Sequence, residues 1–426
     1  MVQRWSKNNS ERGQASMVTV AMFMMLFAVV AVSFTYIVVT ASRQATNDSI
    51  QSAAKAAAES GVEDAKRLLV YCYSQANNES SDVRALCDTV IGKRIDDSSM
   101  TCTTILEAVK RSGIASQFAL EDDDQGSYRV RVGGQNTDAD GSNNEYYQCL
   151  KIATKSKTYE GVINGGGTSA IVPLKLVDNN DNPGQPTQII VKWHRGVDGS
   201  DGDRDASGIA DGDNLPTASS WLSSGSNRPA MLRVEQVGAS KTNVSIDSLI
   251  ANDVAVTLRP SQTGSSSIEF MKYQAKFNTN QNGTAANSGL NNGSTPLVKT
   301  RCYNPNDSKP SALGDYDCMM TFTSNSALDL ANMDYYLRLN AIYKGTHFAI
   351  SAKDAAGNEL YFDGVQPIVD VTGKSADSFS RIQARLKPLS SDDDNIWYPE
   401  YAIETGGKVC KNMNVFYDYG TDECNY

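Results

Sequence analysis

From Gly13 to Ser42 the chain carries no charged side chain, and from Met17 to Val39 nearly every position is apolar. At about 1.5 Å per helical residue, a run of that size spans roughly 35 Å, enough to cross the hydrocarbon of a bilayer. A cleaved secretory signal has a shorter apolar region, about 7 to 15 residues, followed by a small-residue cut site. The run is therefore read as a single membrane span. Arg4, Lys7 and Arg12 precede it against one acid, Glu11. That bias puts the N-terminus in the cytoplasm and the rest of the chain outside.

The pattern changes after Arg43 without a helix breaker. In "QATNDSIQSAAKAAAESGVEDAKRLL" the positions Ile50, Ala54, Ala57, Gly61, Ala65 and Leu68 recur at three- and four-residue spacing, one face of a helix. Ala and Gly dominate that face, which permits close backbone approach. The first proline of the chain is Pro173. One helix of about 55 residues, roughly 80 Å, is predicted within the segment 14–73. It is apolar all round in its first half and amphipathic in its second.

Beyond it, Ser/Asp starts and apolar spacing predict two short helices, "DVRALCDTVIGKRI" and "TTILEAVKRSGIASQFAL", within a helical subregion 80–120. Alternating or β-branched runs then predict strands. They are "SYRVRVG", "YYQCLKIATKSKTYEGVI", "TQIIVKWHR", "AMLRVEQVG", "DVAVTLRPS", "MKYQAKF" and "LVKTRCY". In a C-terminal β region, 297–426, "LRLNAIY", "HFAISAK", "ELYFDG", "IVDVTG" and "RIQARL" follow. The fold class is α+β: a long N-terminal helix carrying a large, mostly antiparallel β head, 74–426, with small helical additions.

A short polar leader ending in "ERG", a long apolar helix and then "AAKAAAESGVEDAKR" resemble the N-terminus of type IV pilin-like proteins. The likeness is to PilX-type and general-secretion K-type minor subunits, which carry an "AAEAGLEDA"-like string after the membrane segment. The resemblance implies that residues 1–13 are a leader, cut by a prepilin peptidase between Gly13 and Gln14. Major pilins have Glu at the fifth mature position, where this chain has Val18, and a proline about twenty residues in, which it lacks. PilX- and K-type subunits commonly lack that Glu, which fits a minor or tip subunit. The C-terminal stretch, from "YYLRLNAIYKGTHFAISAK" to "YPEYAIETGGKVCK", is similar to large pilin-like proteins with a PilX-type N-terminus.

Composition narrows the function. The net charge of −10 and the absence of a Lys/Arg cluster argue against nucleic acid as a partner. Eight cysteines, at 72, 87, 102, 149, 302, 318, 410 and 424, form an even set, as expected for disulfides outside the cytoplasm. Cys302 with Cys318 and Cys410 with Cys424 each bracket a short segment and are read as local pairs. Cys72, Cys87, Cys102 and Cys149 make two further bonds in one of three pairings. The two histidines, His194 and His347, fall in strand candidates without a neighbouring nucleophile motif. HExxH, GxSxG and Walker A patterns are missing. The chain is therefore read as a non-enzyme.

One loop has ligand chemistry. In "DRDASGIADGDN", Asp203, Asp205 and Ser207 alternate, Gly208 follows and Asp211 comes three later, the 1-3-5-6-9 spacing of a calcium loop. Position 12 is Asn214 in place of the bidentate Glu. A solvated Asp/Gly loop is the alternative. K-type subunits are similar in carrying calcium sites in their heads.

The reading that follows is a minor, tip-compatible subunit of a type IV pilus or related filament. Its partners would be the membrane before assembly, other pilin subunits through the helix, the prepilin peptidase and a surface or cell target. The alternative is a permanently anchored extracellular binding protein or adhesin.

Overall fold

The computed structural model describes residues 11–75, 80–97, 100–122, 128–132, 145–164, 169–195, 221, 228–242, 254–269, 297–303, 308–324 and 326–386. Helix α1 (Glu11–Ser74) runs for 64 residues without interruption, longer than predicted at both ends. At the helical rise this is roughly 95 Å. Helices α2 (Ser81–Val90) and α3 (Thr104–Arg111) are shorter than their sequence patterns suggest. Gly92 and Gly113, each at φ +78°, lie just past their ends. Glycine takes this left-handed conformation without steric cost, and it stops a helix there.

The strands in chain order are β1 (Leu120–Asp122), β2 (Tyr128–Arg131), β3 (Glu145–Ser156), β4 (Tyr159–Ile163), β5 (Ser169–Pro173), β6 (Leu176–Val177), β7 (Gln188–Arg195) and β8 (Met231–Ser240). They continue as β9 (Val254–Ser261), β10 (Ser267–Glu269), β11 (Leu297–Arg301), β12 (Tyr316–Thr323), β13 (Met333–Ile342), β14 (Thr346–Lys353), β15 (Tyr361–Ser375) and β16 (Ser378–Arg385). The chain is thus α+β. The strands depart from the sequence pattern at two places. "YYQCLKIATKSKTYEGVI" breaks into β3 and β4 at Lys157–Thr158. "ELYFDG" and "IVDVTG" form one strand, β15, which runs through Gly364 at φ +69°.

Two compact units are present. The first comprises Met1–Arg67, Cys102–Lys151 and Asp370–Gln383; the second comprises Leu68–Thr101, Ile152–Val369 and Ala384–Tyr426. The first unit holds β1, β2, the Glu145–Lys151 part of β3, the Asp370–Ser375 part of β15 and β16 as far as Gln383, neighbours in the sheet order β1-β2-β3-β15-β16. The Cys102–Cys149 disulfide lies within it.

In the second unit two five-stranded sheets have the orders β10-β12-β7-β14-β4 and β11-β9-β8-β13-β5. Pairing is antiparallel except at one edge of each, where β10 joins β12 and β11 joins β9 in parallel. Trp193, Phe322 and Phe348 from one sheet and Val234, Val256 and Leu337 from the other are among the buried side chains of a common apolar core. The Trp193 indole N–H donates to the Ala230 carbonyl at 2.9 Å, so the largest buried ring keeps its polar atom satisfied. Cys302 and Cys318 are disulfide-bonded and bridge the end of β11 to β12, and Cys72–Cys87 ties the last turn of α1 to α2. At the edge strand β4, the Gln366 side chain accepts from the Glu160 N–H (2.9 Å) and donates to its carbonyl (2.6 Å). The amide substitutes for a missing neighbour strand there.

Candidate functional site

The site is α1, which is one helix with two environments. Met17 to Val39 is exposed throughout, Met17 to 78% and Phe27 to 70%. This half is long and apolar enough to cross a membrane, and none of its most apolar window is buried within the chain. Its hydroxyls are arranged for such a medium. Ser33, Thr35 and Thr40 donate to the carbonyls of Val29, Ala31 and Tyr36, four residues back, at 2.8–2.9 Å. A hydroxyl with its proton used inside the helix escapes most of the penalty of entering hydrocarbon. The Gly13–Gln14 bond lies in the first turn of α1, where backbone N–H groups lack intrahelical partners.

A polar, exposed stretch from Arg43 to Gln51, with only Ile50 half-covered, separates this half from the mount. From there Ala54, Ala57, Ala58, Gly61 and Ala65 are buried against the first unit's own sheet. The approach is backbone to backbone. A Cβ on Gly373 of β15 would stand 2.3 Å from the Ala54 carbonyl oxygen and 2.4 Å from the Ala58 nitrogen. On the helix side, a Cβ on Gly61 would meet Val371 at 2.5 Å and the Tyr147 ring at 3.1 Å. The small-residue stripe visible in the sequence is therefore filled by the chain itself. It leaves no Ala/Gly seam there for a second helix.

One polar contact fixes the register. The Tyr147 hydroxyl, on a fully buried ring of β3, donates to Asp64 Oδ2 at 3.0 Å. Arg67 lies 3.6 Å from the other carboxylate oxygen. Burial raises the Asp64 carboxyl above its ordinary 3.8, with the Tyr147 bond and Arg67 opposing. Burial, and then the facing Asp64 charge, hold the Tyr147 phenol well above its usual value. Because the folded carboxyl titrates above the unfolded one, the native state binds the proton more tightly. Its contribution favours folding below about 3.8 and is lost as pH rises through the folded value. Asp64→Asn keeps an acceptor for Tyr147 and removes the buried charge. Stability at neutral pH should match or exceed that of the unmodified chain, with a flatter profile above about pH 4. Amide exchange of residues 145–149 against pH measures this; a constant difference between the two chains across that range would refute it.

Past Arg67, Leu68, Leu69 and Cys72 are buried in the second unit. Burial and then the nearby Asp363 push the Tyr73 phenol up to about 12, so it stays a neutral hydroxyl.

Elsewhere the predicted chemistry is thin. His194 and His347 fall on β7 and β14. His194 is fully buried at φ +63°, its Nε2 3.9 Å from Asp317 Oδ2. No group of three or more His, Cys, Asp or Glu side chains is placed to hold a metal among the described residues. Asp203, Asp205, Ser207 and Asp211, like Cys410, Cys424 and the strand candidate "MKYQAKF", lie outside the described residues. Sequence reasoning missed Tyr147, Asp64 and Gly373 as the parts that seat α1. The only local sign of the last was a glycine inside a β-branched run, "VDVTG".

Comparison with family models, with curated proteins and with solved structures finds no match.

Proposed function

We propose that the chain is a minor subunit of a type IV pilus or related filament, held in the membrane by the first half of α1 before assembly and presenting its β regions outside. The observation that supports it is the division of α1: an apolar half with no partner in its own chain, rigidly continuous with a half seated on the sheet. An exposed apolar helix of this length needs lipid or other apolar helices around it. A filament of packed helices supplies the second environment after the membrane supplies the first. The cationic leader keeps the N-terminus cytoplasmic in this reading. Cleavage after Gly13 by a prepilin peptidase would release the helix for assembly. The subunit has a structural role, with surface adhesion as a further one, and no catalysis. The Asp203–Asp211 loop would bind calcium in the head.

A second reading is favoured by one observation. The Ala/Gly stripe that suggested helix packing between subunits is occupied by Gly373 and its neighbours. What remains exposed is equally suited to a permanently anchored extracellular binding protein.

Mass spectrometry of the N-terminus separates the two. Co-expression with a prepilin peptidase should shorten the chain to begin at Gln14, and Gly13→Leu should keep the full mass and stop filament incorporation. An uncut N-terminus together with absence from sheared filaments would leave the anchor.

A further inference from the structure

We propose that the outer edge of β16 is a docking site for an extended acidic segment of a partner protein, which adds to the first unit's sheet as one more strand. The two-residue turn Ala376–Asp377, with Ala376 at φ +48°, sets Ser378 across from Ser375. In a hairpin closed this way, alternation turns the backbone N–H and C=O groups of Phe379, Arg381 and Gln383 away from β15. β16 is the terminal strand of its sheet, and no backbone partner meets these groups among the described residues. Open edges are usually blunted. β4 is blunted by Gln366, whereas no described residue pairs with the outer backbone groups of β16.

The side chains around this edge specify the guest. Phe379 is 57% exposed, one of two exposed large hydrophobic side chains outside α1 among the described residues. Lys374 stands over the Phe379 ring at 5.0 Å and the Tyr146 ring at 5.7 Å, without a carboxylate partner among the described residues. Arg129 covers the same Tyr146 ring at 4.9 Å. These residues and Arg131 occupy the face opposite Tyr147 and α1, with Glu121 and Asp370 as its acids. Among the described residues the face therefore carries more cations than anions, on a chain of net charge −10. An extended segment that alternates apolar residues with carboxylates fits both the ladder and the charge.

A second copy does not fit. Isologous pairing of two β16 edges needs a two-fold axis normal to the sheet. Since α1 runs along the sheet face, from Gly373 at Ala54 to Val371 and Tyr147 at Gly61, that axis would reverse it in the partner. Reversed helices cannot enter one membrane from the same side, a step that rests on α1 being a membrane helix.

The test uses the full chain in detergent micelles and a fluorescent eight-residue peptide alternating valine with glutamate, read by anisotropy. A valine–lysine peptide is the control. The glutamate peptide should bind at least about tenfold more tightly than the lysine one. Gln383→Pro removes one outward N–H without touching the β15 ladder, and Lys374→Glu reverses the local charge. Each should weaken binding about tenfold or more with intrinsic tryptophan fluorescence and thermal unfolding unchanged. Equal binding of the two peptides, full binding by Gln383→Pro or no binding at millimolar peptide would overturn the proposal. So would self-association that Gln383→Pro abolishes, which would give the edge to a second copy. None of these outcomes alters the mass of the N-terminus, so they leave the filament reading to its own test.

Discussion

Gly373→Ala should destabilise the first unit by about 3 kcal/mol, a roughly hundredfold shift toward the opened state. The added methyl would come 2.3 Å from the Ala54 carbonyl oxygen, 2.4 Å from the Ala58 nitrogen and 3.0 Å from the Ala57 carbonyl carbon. All three are helix backbone atoms, so relief requires α1 to lift from the sheet as a body. That movement would pull Ala54, Ala57, Ala58 and Ala65 out of contact and stretch the Tyr147–Asp64 bond. Gly61→Ala offers a graded comparison. Its methyl would meet Val371 and the Tyr147 ring, which are side chains that can turn, so a loss nearer 1 kcal/mol is expected. Amide exchange over residues 54–61 and 371–373 reports the change, while amide exchange over β7 and β14 follows the second unit. Unchanged protection in Gly373→Ala would mean that the close approach does not hold the helix.

That contact also marks where the sequence stopped being legible. The spacing of Ile50, Ala54, Ala57, Gly61, Ala65 and Leu68 identified both the helix and its buried face, because periodicity is local and survives in any context. It could not say what lies on that face. The answer is a glycine more than three hundred positions away, and a lone Gly in a β-branched run has no local signature of its partner. The same limit applies to strands. β7, β8, β9 and β14 are legible from alternation, whereas β12, "YDCMMTFT", has no β-branched residue in its first five positions and is not among the predicted strands. "ELYFDG" and "IVDVTG" read locally as two strands, yet β15 runs through both, held by pairing that no short window contains. For α1 the length, the apolar half and the small-residue face were all readable. The occupant of the face was not, and it changes the argument: a stripe suited to a neighbouring subunit is spent within the chain.

The functional weight therefore falls on the apolar half, and Val29→Asp should remove its role. Val29 lies near the middle of Met17–Val39 and is exposed, so the new carboxylate meets no side chain of the chain itself. Its cost appears only in hydrocarbon. An acidic residue at the centre of a spanning helix opposes insertion by about 3 kcal/mol, which corresponds to roughly a hundredfold in partitioning. The chain should move from the membrane to the soluble fraction with the amide protection of residues 54–61 intact. Ser52→Asp, a comparable charge at the exposed position just after the polar stretch, should leave it in the membrane. Persistent membrane association of Val29→Asp would show that this half-helix is not what holds the chain there. Both the filament and the anchor readings lose their membrane step with Val29→Asp, while only the filament reading depends on Gly13. The two substitutions together thus assign separate duties to one helix: Val29 reports whether the span is used, and Gly13 reports whether it is ever released.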